Sequence, residues 1–190
     1  MNKPEGYDKV QVDFTPAELG GHTMVIKGVR EEKSKAGKEM IVVAFDFDKN
    51  DIQPGYFSDL FEKDIRPEKK WPIAGTQYIL TTDKDGKTSK SLKGFITSCE
   101  RSNGFEAQWG AKFCEQFKGK KIGGVFGIVE EEYNGKVSKR HRLRWFCEYD
   151  KAQDAPVPAP KLLNNSYTSA ASGPSGFVNV PDGVNEEIPF

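Results

Sequence analysis

"KKIGGVFGIVEEEYNGKVSKRHRLRWFCEY" (residues 120–149) decides how the chain folds. Two runs rich in β-branched and aromatic residues flank Asn134-Gly135. A two-residue type I′ turn needs positive φ at both central positions, and Asn-Gly supplies it at the lowest cost. The stretch therefore predicts a β-hairpin, with strands over 120–133 and 136–149. Alternation along the second strand puts His141, Leu143 and Trp145 on one face and Arg140, Arg142, Arg144 and Phe146 on the other. Three planar cations about 7 Å apart approach the phosphate spacing of an extended single strand. An aromatic ring beside them could stack a base, worth roughly 1–3 kcal/mol. The plainer alternative is an exposed strand whose arginines pair with Glu130, Glu131 and Glu132 across the hairpin.

Upstream, the pattern is again that of strands. "HTMVIKGVREE" (22–32) and "EMIVVAFDF" (39–47) read as two strands, the second placing Ile41, Val43, Phe45 and Phe47 on one face. "KSKAGK" (33–38) between them is a polar turn carrying Lys33, Lys35 and Lys38. "GYFSDLFEKD" (55–64) is short and mixed, and "TQYILTT" (76–82) is a third strand followed by the turn "DKDG". The period then changes. Leu92, Phe95, Ile96 and Cys99 recur at helical spacing, so a helix of about three turns is expected, stopped by Asn103-Gly104. Trp109, Phe113 and Phe117 repeat every four residues and suggest a second short helix whose aromatics enter the core.

The expected fold class is mainly β: an OB-fold, a five-stranded Greek-key barrel with one or two helices between strands 3 and 4. A small α+β sandwich is the rival. In an OB-fold the loops joining strands 1–2 and 4–5 flank the nucleic-acid groove. Here those loops carry Lys33, Lys35 and Lys38, and Tyr133, Lys136 and Lys139, so two basic loops and a basic strand are expected to converge on one channel. Trp71, Tyr78 and Tyr56 are further stacking candidates, with a core role equally open to each.

Composition is consistent with a binding protein. The formal net charge is zero, yet Tyr133 to Cys147 holds five basic residues and no acid. Such a strip points to a polyanionic partner. Only 36% of the 190 residues are hydrophobic, low for a wholly compact chain. The segment 151–184 is rich in Pro, Ala, Ser, Gly and Asn without apolar periodicity. Residues 1–150 are therefore expected to form the domain, 151–181 a disordered linker and 182–190 an acidic tip. As a flexible coil, about 35 residues span roughly 30–35 Å. Three widely spaced cysteines fit reduced cytoplasmic thiols. "MNKPEGYDKV" (1–10) lacks an apolar h-region, so no secretory signal is expected.

Catalytic patterns fail one by one. "DFDKND" (46–51) begins like a calcium loop but has Asp51 where glycine is needed and Phe57 at the bidentate Glu position. "GKKIGG" lacks the Ser or Thr of a phosphate loop. His22 and His141 have no metal-ligating partner at motif spacing, and the cysteines lack C-x-x-C spacing. No enzyme activity, metal or cofactor is expected.

The last residues, "NEEIPF", join two acids to an apolar end. Phe190 offers a ring and a free α-carboxylate to a pocket with a basic rim. Pro189 biases Ile188 towards an extended conformation. "EEIPF" resembles the acidic tip of bacterial single-stranded DNA-binding proteins, which end Ile-Pro-Phe after an OB domain and a Pro/Gly/Ser/Asn-rich linker. This tip departs from theirs in having fewer acids, Glu rather than Asp. "GYFSDLFEKD" (55–64), "LKGFITSCERSNGF" (92–105) and "GGVFGIVEEEYNGKVSKRHRLRW" (123–145) resemble a family of phages and prophages of Gram-positive bacteria to which single-stranded DNA-binding proteins are assigned.

The resemblance implies single-stranded DNA binding without strong sequence preference in the bacterial host cytoplasm. It also implies recruitment of replication, recombination and repair proteins through Asp182, Glu186, Glu187, Ile188, Pro189 and Phe190. Self-association into a homo-oligomer is allowed, and no membrane partner is expected. A strand-annealing accessory protein of recombination is the alternative function.

Overall fold

The computed structural model describes Lys3 and residues 15–163. Five strands form one open antiparallel sheet: β1 (Gly20–Lys33), β2 (Glu39–Phe47), β3 (Thr76–Leu80), β4 (Lys121–Tyr133) and β5 (Lys136–Cys147). Their spatial order is β3-β2-β1-β4-β5. Helix α1 (Tyr56–Glu62) lies between β2 and β3, and α2 (Lys90–Asn103) between β3 and β4. The chain is thus mainly β, and the stretch 55–64, mixed in sequence, is largely helical.

β1 is shared. Its first half, Gly20 to Val25, pairs with β4, while Met24 to Lys33 pairs with β2. A bulge between Ile26 and Gly28 lies at the handover. An extra residue in one strand bends it and adds twist, which lets one strand serve two neighbours that diverge.

The main core lies between the sheet and α2. It joins Met24 and Ile26 of β1, Ile41, Val43, Phe45 and Phe47 of β2, Phe126 of β4, and Leu92, Phe95, Ile96 and Cys99 of α2. Helix α2 starts where the Ser89 hydroxyl accepts from the Leu92 N–H at 3.1 Å, and it ends at Gly104 with φ 63°. The C-terminal end is the one expected at Asn103-Gly104. Asp46 replaces a missing side-chain cap on α1, accepting from the Phe57 N–H at 2.8 Å and from the backbone and hydroxyl of Ser58. Asp48 accepts from the Tyr149 hydroxyl at 3.0 Å, and Asp51 pairs with His22. The acids of "DFDKND" therefore tie elements of the fold together.

Two expectations are corrected. Residues 109–117 do not form an α-helix; they are turns ending in a 3-10 turn at Glu115–Phe117. The expected linker also begins too early. Residues 151–163 pack back on the sheet: Ala152 is fully buried with Val125 and Cys147, and Trp145 and Ala155 pack on them. The segment then joins the edge of β4. The Lys161 N–H donates to Ile128 O at 2.9 Å and the Glu130 N–H to Lys161 O at 2.9 Å. Small residues achieve this burial, which is why hydrophobicity gives no signal. A Cβ on Gly21 would stand 1.5 Å from Ala152 O, and one on Gly123 would stand 2.6 Å from Glu148 O. Residues 164–181 of the expected linker lie outside the described residues.

Burial pushes the Cys99 thiol up to about 12 and the Cys147 thiol to about 11; both are buried, whereas Cys114 is partly exposed. Thiolates are the reactive form. Limited alkylation followed by mass spectrometry should therefore label Cys114 first, and Cys99 and Cys147 only after denaturant is added. Equal labelling of all three in the native protein would contradict this packing.

Candidate nucleic-acid interface

The β4–β5 hairpin turns as its sequence requires, with φ 50° at Asn134 and 72° at Gly135. Its register places Glu130 opposite Lys139, Glu131 opposite Ser138 and Val129 opposite Arg140. The basic strip therefore faces an acidic strand. Arg142 is committed to it: Nε and Nη2 donate to the two carboxylate oxygens of Glu131 at 2.7 and 2.9 Å, with both side chains about 24% exposed. This is the cross-hairpin pairing weighed from the sequence.

A second bulge changes the faces of β5. Val125 pairs with Trp145 but Phe126 with Leu143, so Arg144 is the extra residue. Beyond it the alternation is inverted. Phe146 does not share a face with the arginines; its ring lies 6.1 Å from Phe45 and 5.1 Å from Phe95, against the main core. Trp145 does not share a face with Leu143; it packs with Val125 and Ala155 on the opposite side. The arginines do share one face, but residues 152–161 cover it at Arg144 and leave Arg140 exposed. Arg144 passes over Gly127 and donates from Nη1 to Ala159 O at 3.0 Å. Arg140, Lys136, Lys139 and Tyr133 are exposed near the hairpin tip, Tyr133 at 62%.

The β1–β2 hairpin presents the other lysines. Ser34 closes the turn, accepting from the Gly37 N–H through its carbonyl at 2.8 Å and from the Lys38 N–H through its hydroxyl at 3.0 Å. Lys33, Lys35 and Lys38 are all exposed around it. The two tips do not sit side by side. β4 runs antiparallel to β1 from Val25 back to Gly20 and continues beyond it, whereas β1 continues the other way to Lys33. The basic tips therefore project past opposite ends of the shared strand, and the single convergent channel expected from the sequence is corrected to two separated tips.

The face of β1–β2–β3 away from the core lies nearer the first tip. There Arg30, Val42 and Tyr78 align across three strands. Val42 is buried, while Tyr78 is 40% exposed and Arg30 is exposed. Arg30 meets Glu32 at 3.0 Å, an exposed pair of the kind that holds a guanidinium only weakly. A tyrosine ring and a guanidinium on one sheet face can stack a base and neutralise a phosphate. The other aromatic candidates serve packing. Tyr56 donates its hydroxyl to Thr15 O at 2.8 Å and stacks on Phe47 at 5.7 Å. Trp71 donates Nε1 to Gly75 O at 2.9 Å, and its ring lies 5.7 Å from Phe61.

Two exposed groups escape a reading of the sequence. Nothing in β1 alone marks the alignment of Arg30 with Tyr78. The four-residue spacing of Trp109 to Phe113 and Phe117 suggests a helix core, yet Trp109 is 72% exposed. Gly110, at φ 137°, is the one local warning that a helix does not carry that spacing. Asp182, Glu186, Glu187, Ile188, Pro189 and Phe190 lie outside the described residues. Among the described residues no helix is long and apolar enough to cross a membrane. No protein-family model matches the chain, and no curated protein matches it.

Proposed function

We propose that the chain is a phage or prophage single-stranded DNA-binding protein of OB type whose C-terminal tip recruits enzymes of replication, recombination or repair. The observation that carries this reading is the connectivity: five antiparallel strands, β1 paired with both β2 and β4, and α2 inserted between β3 and β4. Such a path supports an OB-type chain, in which the β1–β2 and β4–β5 hairpins border the ligand. Here both hairpins end in exposed lysines. Support for the recruiting tip rests on the resemblance of "EEIPF" alone.

The geometry shifts the proposed contacts. DNA would cross the face that carries Arg30 and Tyr78, with Lys33, Lys35 and Lys38 at one end. Lys136, Lys139, Arg140 and Tyr133 stand at the other end. Arg142 and Arg144 hold the fold: freeing the Arg142 guanidinium for a phosphate would take from Glu131 the two hydrogen bonds it now accepts.

Fluorescence titration with a dT oligonucleotide, a duplex and RNA, at two salt concentrations, tests the reading. Preferred binding of dT with a steep salt dependence is expected. The variant Lys33→Gln/Lys35→Gln/Lys38→Gln should flatten the slope of log K against log salt by about 2, from roughly 0.7 per phosphate contact on single strands. Preference for the duplex would overturn the proposal.

A further inference from the structure

We propose that Trp109 is a base-stacking platform for single-stranded DNA, a contact that rests on the binding function proposed above. Among the described residues it is the most exposed large apolar side chain, at 72%. Its ring is nevertheless fixed. It lies parallel to Phe113 at 4.5 Å between centroids and 6° between planes. Phe113 in turn meets Phe117 edge-on at 5.1 Å, and Phe117 packs 5.1 Å from Phe95 of α2. A column of rings thus runs from the main core to the surface, with Trp109 as its outermost member.

The backbone beneath the ring is held as firmly. The Gln116 side chain clamps Gln108 from both sides, accepting from its N–H at 2.9 Å and donating to its carbonyl at 2.9 Å. The same amide donates to Phe113 O at 2.7 Å, and the Ala107 N–H donates to Glu100 at 3.0 Å. A rigid ring with one face covered and much of its surface open loses little entropy when a flat partner stacks on it. Every base has such a face, so stacking does not select sequence.

A flat ring beside a lysine-bearing segment suits a base and its phosphate. Residues 105–121 carry Lys112 and Lys118, with Lys120 over Phe105 at 4.5 Å and Lys121 over Tyr149 at 4.9 Å. Glu106 and Glu115 in the segment and Glu31 and Glu100 beside it balance their charge, so stacking rather than net charge makes the contact. The segment also lies along the half of β1 that leads to the lysine tip. The Gly119 N–H donates to Ile26 O at 2.8 Å, and Glu31 is close enough to Cys114 that burial and that nearby charge together push the thiol up. A strand leaving Lys33, Lys35 and Lys38 can therefore follow β1 towards Trp109.

The test uses the full-length protein and a fluorescently labelled dT oligonucleotide. Trp109→Ala should weaken binding about five- to a hundred-fold, while Trp109→Phe, which keeps a stacking ring, should stay within a few-fold of wild type. In Trp71→Phe/Trp145→Phe, the emission of Trp109 alone should be quenched by saturating dT. If wild type binds dT but Trp109→Ala binds equally well and that emission does not change, the platform is overturned and the binding function stands. If wild type itself fails to bind dT, both fall. Should Trp109→Ala unfold, the Phe variant and the single-tryptophan signal decide: wild-type-like affinity with quenching supports the platform, and unchanged emission overturns it.

Discussion

Phe126→Ala is expected to destabilise the fold by about 3–5 kcal/mol. Phe126 is fully buried in β4 and meets rings from three other elements. His22 lies at 5.2 Å, Phe45 at 6.2 Å, Phe47 at 5.3 Å and Phe57 at 6.3 Å. Truncation removes the transfer free energy of the ring and leaves a cavity. The neighbours cannot collapse into it, because each is fixed by its own strand or helix and by ring contacts to the others. His22 is stacked on Phe47, and Phe57 lies edge-on to Phe45 and Phe47. Total stability is usually about 5–15 kcal/mol, so the loss is a large fraction of it. Urea denaturation should show a much lower midpoint with an unchanged slope. Phe126→Leu, which fills more of the space, should cost less. A midpoint for Phe126→Ala close to wild type would contradict the packing.

The second large effect is expected at Asp51. His22 is completely buried, stacked on Phe47 at 4.0 Å, and both its ring nitrogens meet polar partners. Nδ1 lies 2.9 Å from Asp51 Oδ1 and Nε2 lies 3.0 Å from Glu18 O. The Asp51 carboxylate also accepts from the N–H groups of Thr23 at 2.8 Å and Gln53 at 3.0 Å. Burial pushes its acidity towards the neutral form, but the hydrogen bond from His22, with those of Gln53 and Thr23, outweighs burial and holds the carboxyl below its ordinary value.

Asp51→Ala leaves the buried groups of His22, Thr23 and Gln53 that now meet the carboxylate without it, a loss of about 1–3 kcal/mol for each donor left unmet. Asp51→Asn, which keeps an acceptor, should lose less. The sign with pH follows from the lowered value. The unfolded carboxyl takes up a proton before the folded one does, so stability from Asp51 is complete above about pH 4. It is lost as pH falls through the folded value. Urea midpoints of wild type should therefore drop below that pH more steeply than those of Asp51→Asn. Parallel pH profiles would refute the linkage.

Much of the fold is legible in the sequence because its signals are local. Asn134-Gly135 fixes a turn by backbone sterics alone, and the spacing of Leu92, Phe95, Ile96 and Cys99 is a property of one helix. The faces of β5 follow simple alternation only as far as Leu143. The inversion begins one residue later, at the bulged Arg144. A bulge is set by both strands of a pair, so one strand's alternation cannot announce it. It places Phe146 against the core rather than among the stacking candidates and sends Trp145 to the other side.

The candidate site is legible in part for the same reason. Exposed lysines in turns follow from local composition alone. The pairing of Arg142 with Glu131 stands in the sequence only as an alternative, because proximity across a hairpin does not say which arginine will be used. The packing of residues 151–163 carries no hydrophobic signal, because Ala152 and Pro158 are accommodated by Gly21, Gly123 and Gly127 rather than by large apolar partners. Trp109 is hard to place because a spacing of four can also arise from a turn that stacks rings.

The sharing of β1 has a kinetic consequence. Its pairing with β2 closes a short hairpin and can form early, whereas Gly20 meets Phe126 across more than a hundred residues of intervening chain. Closing so long a loop is slow, since its entropy is lost before the contacts reward it. During synthesis the second half of β1 therefore pairs first, while Gly20 to Thr23 wait for their partner. The ribosome must deliver β4 before that first half is covered, and until then its unpaired backbone is open to any neighbouring nascent chain.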